Sequence, residues 1–375
     1  MVKIIHCADI HIGSADTSLG LLAQKRRLET LMTFERIIDI ARENAVQIIA
    51  LSGDLFDSND IERSLSDAVF EKIASIPEIK VIYAAGNHDP LNSCSPFLKR
   101  QLPENLYILK TSDDCITFDD LKVRVYGKSF ENCYQSGNET FSITPPQDDY
   151  VNLMVIHGEL KSDINSNYNA ITPTFVKTCG MDYIALGHVH KRSEIGKMGD
   201  TYFAYCGCPE GQGFDETDAK GIYIGEIGKG TCNLEFLEMA KRKHIVEKFT
   251  ISNEETSDEI AANILSILSE KYGEKYFENL YKIEISGEVE EDFSLPKEEI
   301  CERLCEKVFF AKIKDLTQPS LDLETLSKEP TLKGLFVKNM LEKISNAADE
   351  EKADLEGALL LGLKAFKTEV SFSEN

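Results

Sequence analysis

The 375-residue chain is short of several things, and each shortage closes off a class of protein. No apolar run approaches the roughly 18–20 residues needed to cross a bilayer, so a helical membrane protein is excluded. Met1-Val2-Lys3 leads straight into Ile4-Ile5, and no secretory signal peptide is expected. A surplus of Lys and Arg is missing as well. The formal net charge is −23, with −13 from residues 1–240 and −10 from residues 241–375, so neither part is a freestanding basic nucleic-acid-binding module. The ten cysteines show no repeating pair spacing, and Cys206 and Cys208 stand too close for a usual zinc knuckle pair. They read as reduced, structural thiols of a cytoplasmic protein. Internal repeats and low-complexity tracts are absent. Histidine is scarce, at seven residues.

What is present, from residue 1 to about 240, is an alternation of short apolar runs with longer amphipathic ones. Lys3–Ala8, Gln47–Ser52, Val81–Ala85, Val151–Ile156 and Met181–Leu186 read as buried strands, rich in Ile, Val, Leu and Tyr. Gln24–Asn44 carries Leu28, Leu31, Phe34, Ile37, Ile38 and Ala41 at helical spacing, and Leu65–Ile76 is a second helix closed by Pro77. Strands alternating with crossover helices predict an α/β sheet with helices on both faces. Tyr202–Ala204, Ile222–Ile227 and Cys232–Glu238 read as an added sheet edge. After a hinge at Lys241-Arg242-Lys243, residues 244–316 form a small α+β unit: strand Ile245–Ser252, helix Ser257–Tyr272, strand Leu280–Ser286, helix Pro296–Cys305 and strand Val308–Lys314. Residues 320–375 read as helical, chiefly Leu332–Ser345 and Asp349–Lys367.

Five polar clusters stand where five strand-like runs end: Asp9-Ile10-His11, Gly53-Asp54, Gly86-Asn87-His88-Asp89, His157-Gly158 and Gly187-His188-Val189-His190. Ligands of α/β sheets bind outside the carboxyl ends of the strands, so the clusters are expected on one rim. The i, i+2 spacing of Asp9/His11 and His188/His190 puts both side chains of each pair on one side of an extended backbone. The four glycines remove bulk where backbone turns sharply or approaches closely. Mixed carboxylate, imidazole and amide donors suit a pair of manganese, iron or zinc ions and not calcium. A bridging carboxylate can hold two such ions about 3.5–4 Å apart for in-line displacement at phosphorus. Singly the clusters are commonplace, and Gly-Asn-His-Asp alone could be a turn. Together they take five of the seven histidines. His6, inside a strand, reads as a packed core residue, and His244 as a surface residue of the hinge.

The ordered set Asp-x-His, Gly-Asp, Gly-Asn-His-Asp, His-Gly and Gly-His-x-His resembles the calcineurin-like metallophosphoesterases. Ile5-His6-Cys7-Ala8-Asp9-Ile10-His11, Gly53-Asp54-Leu55-Phe56-Asp57 and Asp182 through Arg192 are most similar to their DNA-repair nuclease branch, including SbcD and the YhaO-like exonucleases. The resemblance covers residues 1–240. It implies a β-sandwich flanked by helices, a two-metal phosphoesterase domain, then a small α+β capping domain and C-terminal helices. It also implies DNA as substrate, an SbcC- or YhaN-like coiled-coil ATPase as partner, and a homodimer as one possible state. Asp9, His11, Asp54 and His190 would hold one ion and Asp54, Asn87, His157 and His188 the other, with manganese favoured over iron or zinc. His88 would lie over the phosphate, with Asp89 orienting its ring.

Two departures stand out. Some nucleases of the branch have a histidine where this chain has Asp57, which is therefore given no direct chemistry. Tyr205-Cys206-Gly207-Cys208-Pro209 replaces a Pro-Gly-Ser-type turn. A phosphatase or cyclic-nucleotide phosphodiesterase on the same core is the competing reading, and a scaffold of weak activity is a third. Two apolar stripes, Leu332/Phe336/Met340/Ile344 and Leu355/Leu359/Leu363/Phe366, either dock a partner or pack on each other.

Overall fold

The computed structural model describes all residues except 15, 136–140, 143, 163–165, 253–255, 291–292, 321 and 367–375. The first stretch comprises β1 (Val2–Cys7), α1 (Ala23–Glu43), β2 (Ile48–Leu51), α2 (Arg63–Ala74), β3 (Lys80–Tyr83), α3 (Pro96–Lys99) and β4 (Leu106–Ile108). There follow β5 (Asp114–Phe118), β6 (Val123–Lys128), β7 (Val151–His157), α4 (Pro173–Thr178), β8 (Tyr183–Gly187), β9 (Gly196–Met198), β10 (Thr201–Tyr205), β11 (Gly221–Gly228) and β12 (Thr231–Glu238).

These strands build two six-stranded sheets, ordered β12-β11-β1-β2-β3-β4 and β5-β6-β7-β8-β10-β9. In the first, β1 to β4 are parallel and the β11–β12 hairpin is an antiparallel edge, as expected for Ile222–Ile227 and Cys232–Glu238. In the second, β6, β7, β8 and β10 are parallel. The alternation of strands and helices suggested one sheet, yet the five motif-bearing strands are divided between two. The cause lies in Leu106–Lys128, where three strands follow each other with no crossover helix. The β5–β6 hairpin closes through Lys122 at φ 51° and starts the second sheet. Tyr202–Ala204 also joins that second sheet, parallel to β8.

Residues alternate along each strand between two apolar layers. Ile4, Ile48, Ala50 and Ile82 of the first sheet meet Val125, Leu153, Val155 and Ala185 of the second, which is the interior of a sandwich. Ile5, Ile49 and Val81 face outward under Phe34, Ile37 and Ile38 of α1 and Val69 and Ile73 of α2. Met154, Ile156, Ile184 and Leu186 pack under Val176 of α4. The α1 stripe departs from expectation at its N-terminal end, where Leu28 is 47% exposed. The buried face there is polar: Glu29 takes two guanidinium partners, Arg26 at 2.8 Å and Arg242 at 2.8 Å. His6 is buried as expected, bonded through Nδ1 to the Tyr183 hydroxyl at 2.9 Å and through Nε2 to the Leu186 carbonyl at 3.1 Å. It thus ties β1 of one sheet to β8 of the other. All ten cysteines are free, with Cys206 and Cys208 buried.

Beyond β12 come β13 (His244–Thr250), α5 (Ser257–Tyr272), β14 (Leu280–Val289), α6 (Lys297–Cys305) and β15 (Phe310–Pro319), the strands forming a sheet in the order β13-β14-β15. Then follow α7 (Leu323–Leu326), α8 (Leu332–Asn346) and α9 (Asp349–Ala365). Phe366, the second-last residue of the expected helix Asp349–Lys367, falls past its end, and Lys367 lies outside the described residues. Two compact units result. One gathers Met1–Glu247, Ile267–Lys282 and Leu304–Lys312, and the other Lys248–Ser266, Ile283–Arg303 and the chain from Ile313. His244, expected at the surface, is instead buried against the Phe214 ring at 5.1 Å, since the flanking basic residues disguise a packed position. The middle of each C-terminal stripe faces the other: Met340, Leu359 and Leu363, with Val337, are the buried centre of an α8–α9 hairpin, while Leu332 at one end of its stripe is exposed. No helix among the described residues is long and apolar enough to cross a membrane.

Candidate metal centre

Each expected site residue lies at or just past the carboxyl end of a parallel strand. Asp9 and His11 follow β1, Asp54 follows β2, and Asn87, His88 and Asp89 follow β3. His157 ends β7, and His188 and His190 follow β8. Both sheets contribute, so the rim is where the two parallel arrays present their ends together. The backbone is bent hard to achieve this. Asp9 (φ 53°), His11 (51°), Asp54 (50°) and His188 (97°) all sit in the left-handed region, which is uncommon for residues other than glycine and concentrates at functional sites. Two glycines make the room. A Cβ at Gly53 would lie 2.2 Å from Nδ1 of His157, and one at Gly86 would lie 2.1 Å from Oδ1 of Asp54.

At the centre the side chains converge. The carboxylate of Asp9 accepts the backbone N–H of His188 through both oxygens, at 3.0 and 3.1 Å. Asp54 Oδ1 accepts the N–H of His88 at 2.9 Å, while its Oδ2 lies 3.4 Å from His157 Nε2 and 3.8 Å from His11 Nε2. Asn87 Oδ1 lies 2.9 Å from His157 Nε2 and 3.2 Å from His188 Nδ1. His11 and His190 face each other through Nε2 at 3.1 Å. Donor atoms of Asp9, His11 and His190 all lie within 4.8 Å of one another, as do those of Asp9, Asp54 and His157.

The far nitrogens of these rings decide what the near ones can do. His11 Nδ1 meets the Asp57 carboxylate at 3.2 Å, and His190 Nδ1 meets Glu216 at 2.7 Å. Carboxylates only accept, so each Nδ1 carries a proton, and in the neutral rings each Nε2 presents a lone pair to the other. His157 Nδ1 donates to the Ser52 carbonyl at 2.9 Å, which turns its Nε2 lone pair toward the oxygens of Asn87 and Asp54. A cluster of lone pairs aimed at one another, with buried carboxylates among them, is what a bound cation relieves. The residues therefore fit a metal centre.

The electrostatics agree. Burial pushes Asp9 up to about 8 against the pull of His190, with the Asp54 charge adding to the rise. Burial opposes ionisation of Asp54 too, but His157, His11 and His88 outweigh it and hold its carboxyl below the ordinary range. Burial lowers His157 to about 4 and also lowers His188, so both rings are neutral donors near neutral pH. In His190 burial works against the charged form, yet Glu216 and Asp9 hold its pKa above the usual value.

One expected pairing fails. Asp89 does not orient the His88 ring; it is wholly buried, and its oxygens accept the Phe56 N–H at 2.9 Å, the Gly86 N–H at 3.0 Å and the Tyr83 hydroxyl. An Asp at the end of a Gly-Asn-His-Asp turn meets the turn's own N–H groups more readily than a neighbouring ring that points outward. The His88 ring is 45% exposed and its Nδ1 is held by the Asp57 carbonyl at 3.0 Å. Sequence reasoning thus missed Asp57, which supports His88 through its carbonyl and His11 through its carboxylate. The signal was present in Gly53-Asp54-Leu55-Phe56-Asp57, three residues past the central carboxylate. Glu216, Glu159 (3.6 Å from His188 Nε2) and Tyr168, stacked on the His188 ring, were also missed. They come from loops with no motif to mark them.

Residues 2–192 match the family described as calcineurin-like phosphoesterase. Among curated relatives, the chain is 26% identical over 290 residues to the DNA double-strand break repair protein Mre11 of Methanopyrus kandleri, covering 70% of this chain and 62% of that one. It is 28% identical over 248 residues to the uncharacterized metallophosphoesterase YhaO of Bacillus subtilis, covering 63% and 60%. It is 25% identical over 372 residues to the Mre11 of Sulfurisphaera tokodaii, covering 93% and 90%. The chain thus spans about three fifths of the first two relatives and most of the third. With its five motifs gathered on one rim and half the chain matched end to end, the chain belongs to the calcineurin-like phosphoesterase family.

Proposed function

We propose that the chain is a metal-dependent DNA-repair nuclease that hydrolyses DNA phosphodiester bonds. The observation that carries the reading is the ring of opposed lone pairs. His11 and His190 meet at 3.1 Å and His157 and Asn87 at 2.9 Å, around two buried carboxylates. Asp9, His11, Asp54 and His190 would hold one divalent ion, and Asp54, Asn87, His157 and His188 a second. Asp54 is the carboxylate within 3.8 Å of rings from both sets, which supports its role as the bridge. A bound pair of ions supplies Lewis acidity toward a phosphate ester and activation of water. The donor set suits manganese, iron or zinc, and manganese is assigned on the strength of the branch resemblance.

His88 keeps Nδ1–H on the Asp57 carbonyl, so Nε2 is the nitrogen free to serve a leaving oxygen, donating when the ring is protonated. Its exposure suits a residue that meets substrate. Asp57 fixes the ring's direction, and Asp89 fixes the turn that carries it.

The choice of DNA leans on the relatives named for double-strand break repair. The acidic chain then needs positive surface from elsewhere, which a coiled-coil ATPase of the SMC-like kind would supply. Residues 320–375 are assigned to that docking, and Leu332, Leu335 and Leu361 remain exposed on the hairpin at 74%, 55% and 49%. A cytoplasmic location is part of the same reading, in keeping with ten free cysteines. The deciding experiment incubates purified protein and manganese with labelled single- and double-stranded DNA, beside a phosphomonoester and a cyclic nucleotide. DNA cleavage that chelation abolishes is the expected result. Turnover of the monoester or the cyclic nucleotide with intact DNA would overturn it.

A further inference from the structure

The loop between β10 and β11 wraps the back of His190 and holds both its backbone and its ring. The Cys208 N–H donates to the His190 carbonyl at 3.3 Å, and Lys220 Nζ donates to the same oxygen at 2.9 Å. Glu216 Oε1 accepts the His190 Nδ1–H at 2.7 Å. The other oxygen of Glu216 is held in turn. It accepts the Gln212 N–H at 3.1 Å and the Cys208 thiol at 3.2 Å, and it lies 3.4 Å from Lys220 Nζ. A Cβ at Gly207 would come within 2.8 Å of the His190 carbonyl, so the loop sits as close as backbone permits.

We propose that Glu216 is the positioning residue of His190. By taking Nδ1–H it leaves Nε2 as the lone-pair nitrogen and aims it into the metal centre, while Lys220 and Cys208 keep the carboxylate from swinging away. The proposal rests on reading His190 as a metal ligand. His190, Cys208 and Glu216 are close enough together to hold an ion themselves. The Lys220 ammonium already stands between Glu216 and Asp218, at 3.4 and 2.9 Å, and takes the place a further cation would need. His11 has the corresponding support from Asp57, inside a recognisable motif. Glu216 gives His190 the same support from 26 residues downstream, in the loop that follows Tyr205-Cys206-Gly207-Cys208-Pro209.

The test is the manganese-binding isotherm of the metal-stripped full chain, compared among wild type, His190→Ala, Glu216→Ala, Glu216→Gln and Lys220→Met. His190→Ala is expected to lose one of the two binding events. Glu216→Ala should weaken that same event roughly 10–100-fold and leave the other in place, as loss of a carboxylate behind a ligating imidazole does. Glu216→Gln, whose amide oxygen still accepts Nδ1–H, should fall between, and Lys220→Met should weaken the event least. Wild-type isotherms for both Glu216 variants beside a lost event in His190→Ala overturn the positioning role. Equal weakening of both events overturns it too, since that is what a loosened loop produces. An unchanged isotherm in His190→Ala overturns the metal assignment itself. Glu216→Gln keeps the side-chain volume and decides the matter if Glu216→Ala does not fold.

Discussion

The rim of the two sheets and the C-terminal hairpin use their residues in opposite ways. On the rim, Asp9, His11, Asp54 and His188 have positive φ, and the buried side chains are carboxylates and imidazoles. In α8 and α9 no described residue has positive φ, and the buried side chains are Val337, Met340, Leu359 and Leu363. Strained backbone and buried charge cost stability, and they persist where surrounding structure over-determines them. A periodic apolar stripe does the reverse and contributes packing without chemistry. Substitutions on the rim should therefore change reactivity far more than folding, and substitutions in the hairpin the other way round.

The largest effect is expected at Asp54. Asp54→Ala should abolish turnover and lower bound metal by more than one ion per chain, because one carboxylate serves both positions. The fold should survive, since removing that charge relieves its repulsion of Asp9 and Asp89. Metal analysis beside circular dichroism checks both halves, and full occupancy would refute the bridge. Next comes His88→Ala, which should keep both ions and lose turnover roughly 10²–10⁴-fold. Loss of metal there would make His88 a ligand and remove it from its assigned place over the phosphate.

Metal removal sharpens the contrast through pH. Burial, with the charge of Asp54, raises Asp89 to about 7, and burial raises Asp9 to about 8. A carboxyl whose folded pKa is raised holds its proton more tightly in the fold than in the unfolded chain. These two carboxyls lower metal-free stability as pH rises from about 4, the unfolded value, through about 8. The buried histidines His6, His157, His188 and His244, whose pKa values burial depresses, raise it up to their unfolded value of about 6.5, so the net fall is expected between about 6.5 and 8. Asp54 runs the other way, but its contribution is complete above the unfolded pKa and does not change in this window. Divalent cations replace the missing protons. Manganese should raise the melting temperature strongly near pH 8 and little near pH 5, and a stripped protein that melts higher as pH rises from about 6.5 to 8 would contradict the assignment.

Why the rim was legible and its support was not follows from the same contrast. Asp9, His11, Asp54, Asn87, His88, His157, His188 and His190 converge because each lies at or just past a strand end, and a strand ending in polar residues is visible in sequence. Glu216, Glu159 and Tyr168 reach the rim from loops, where neither period nor neighbouring residues announce them. Asp89 was visible but wrongly paired, because sequence shows adjacency to His88 and not the turn that sends its carboxylate inward. The β-sandwich implied by the family resemblance is the architecture observed, whereas the alternation of elements alone suggested one sheet, since β4 and β5 are short and β5 is only half-buried. Leu28 and His244 were misplaced for one reason. Around Glu29 and Arg242 the chain buries charge in matched partners, so apolarity ceased to mark the interior.

The smallest effects are expected in the hairpin, and there they separate packing from docking. Leu359 is 2% exposed at the α8–α9 contact, whereas Leu335 is 55% exposed on the same hairpin. Leu359→Ala removes buried methyl groups and should destabilise the hairpin by roughly 2–5 kcal/mol. Leu335→Ser removes nothing from the interior and should stay within about 0.5 kcal/mol of wild type. Neither should alter cleavage of a small model phosphodiester, because no rim residue lies in α8 or α9. A shared loss of partner capture would mean that the hairpin matters only as a folded whole. If Leu335→Ser melts like wild type and still loses binding to a coiled-coil ATPase from the same organism, the exposed face is the docking surface. Hydrogen exchange across Leu332–Asn346 in both variants, read beside the binding assay, distinguishes the two outcomes.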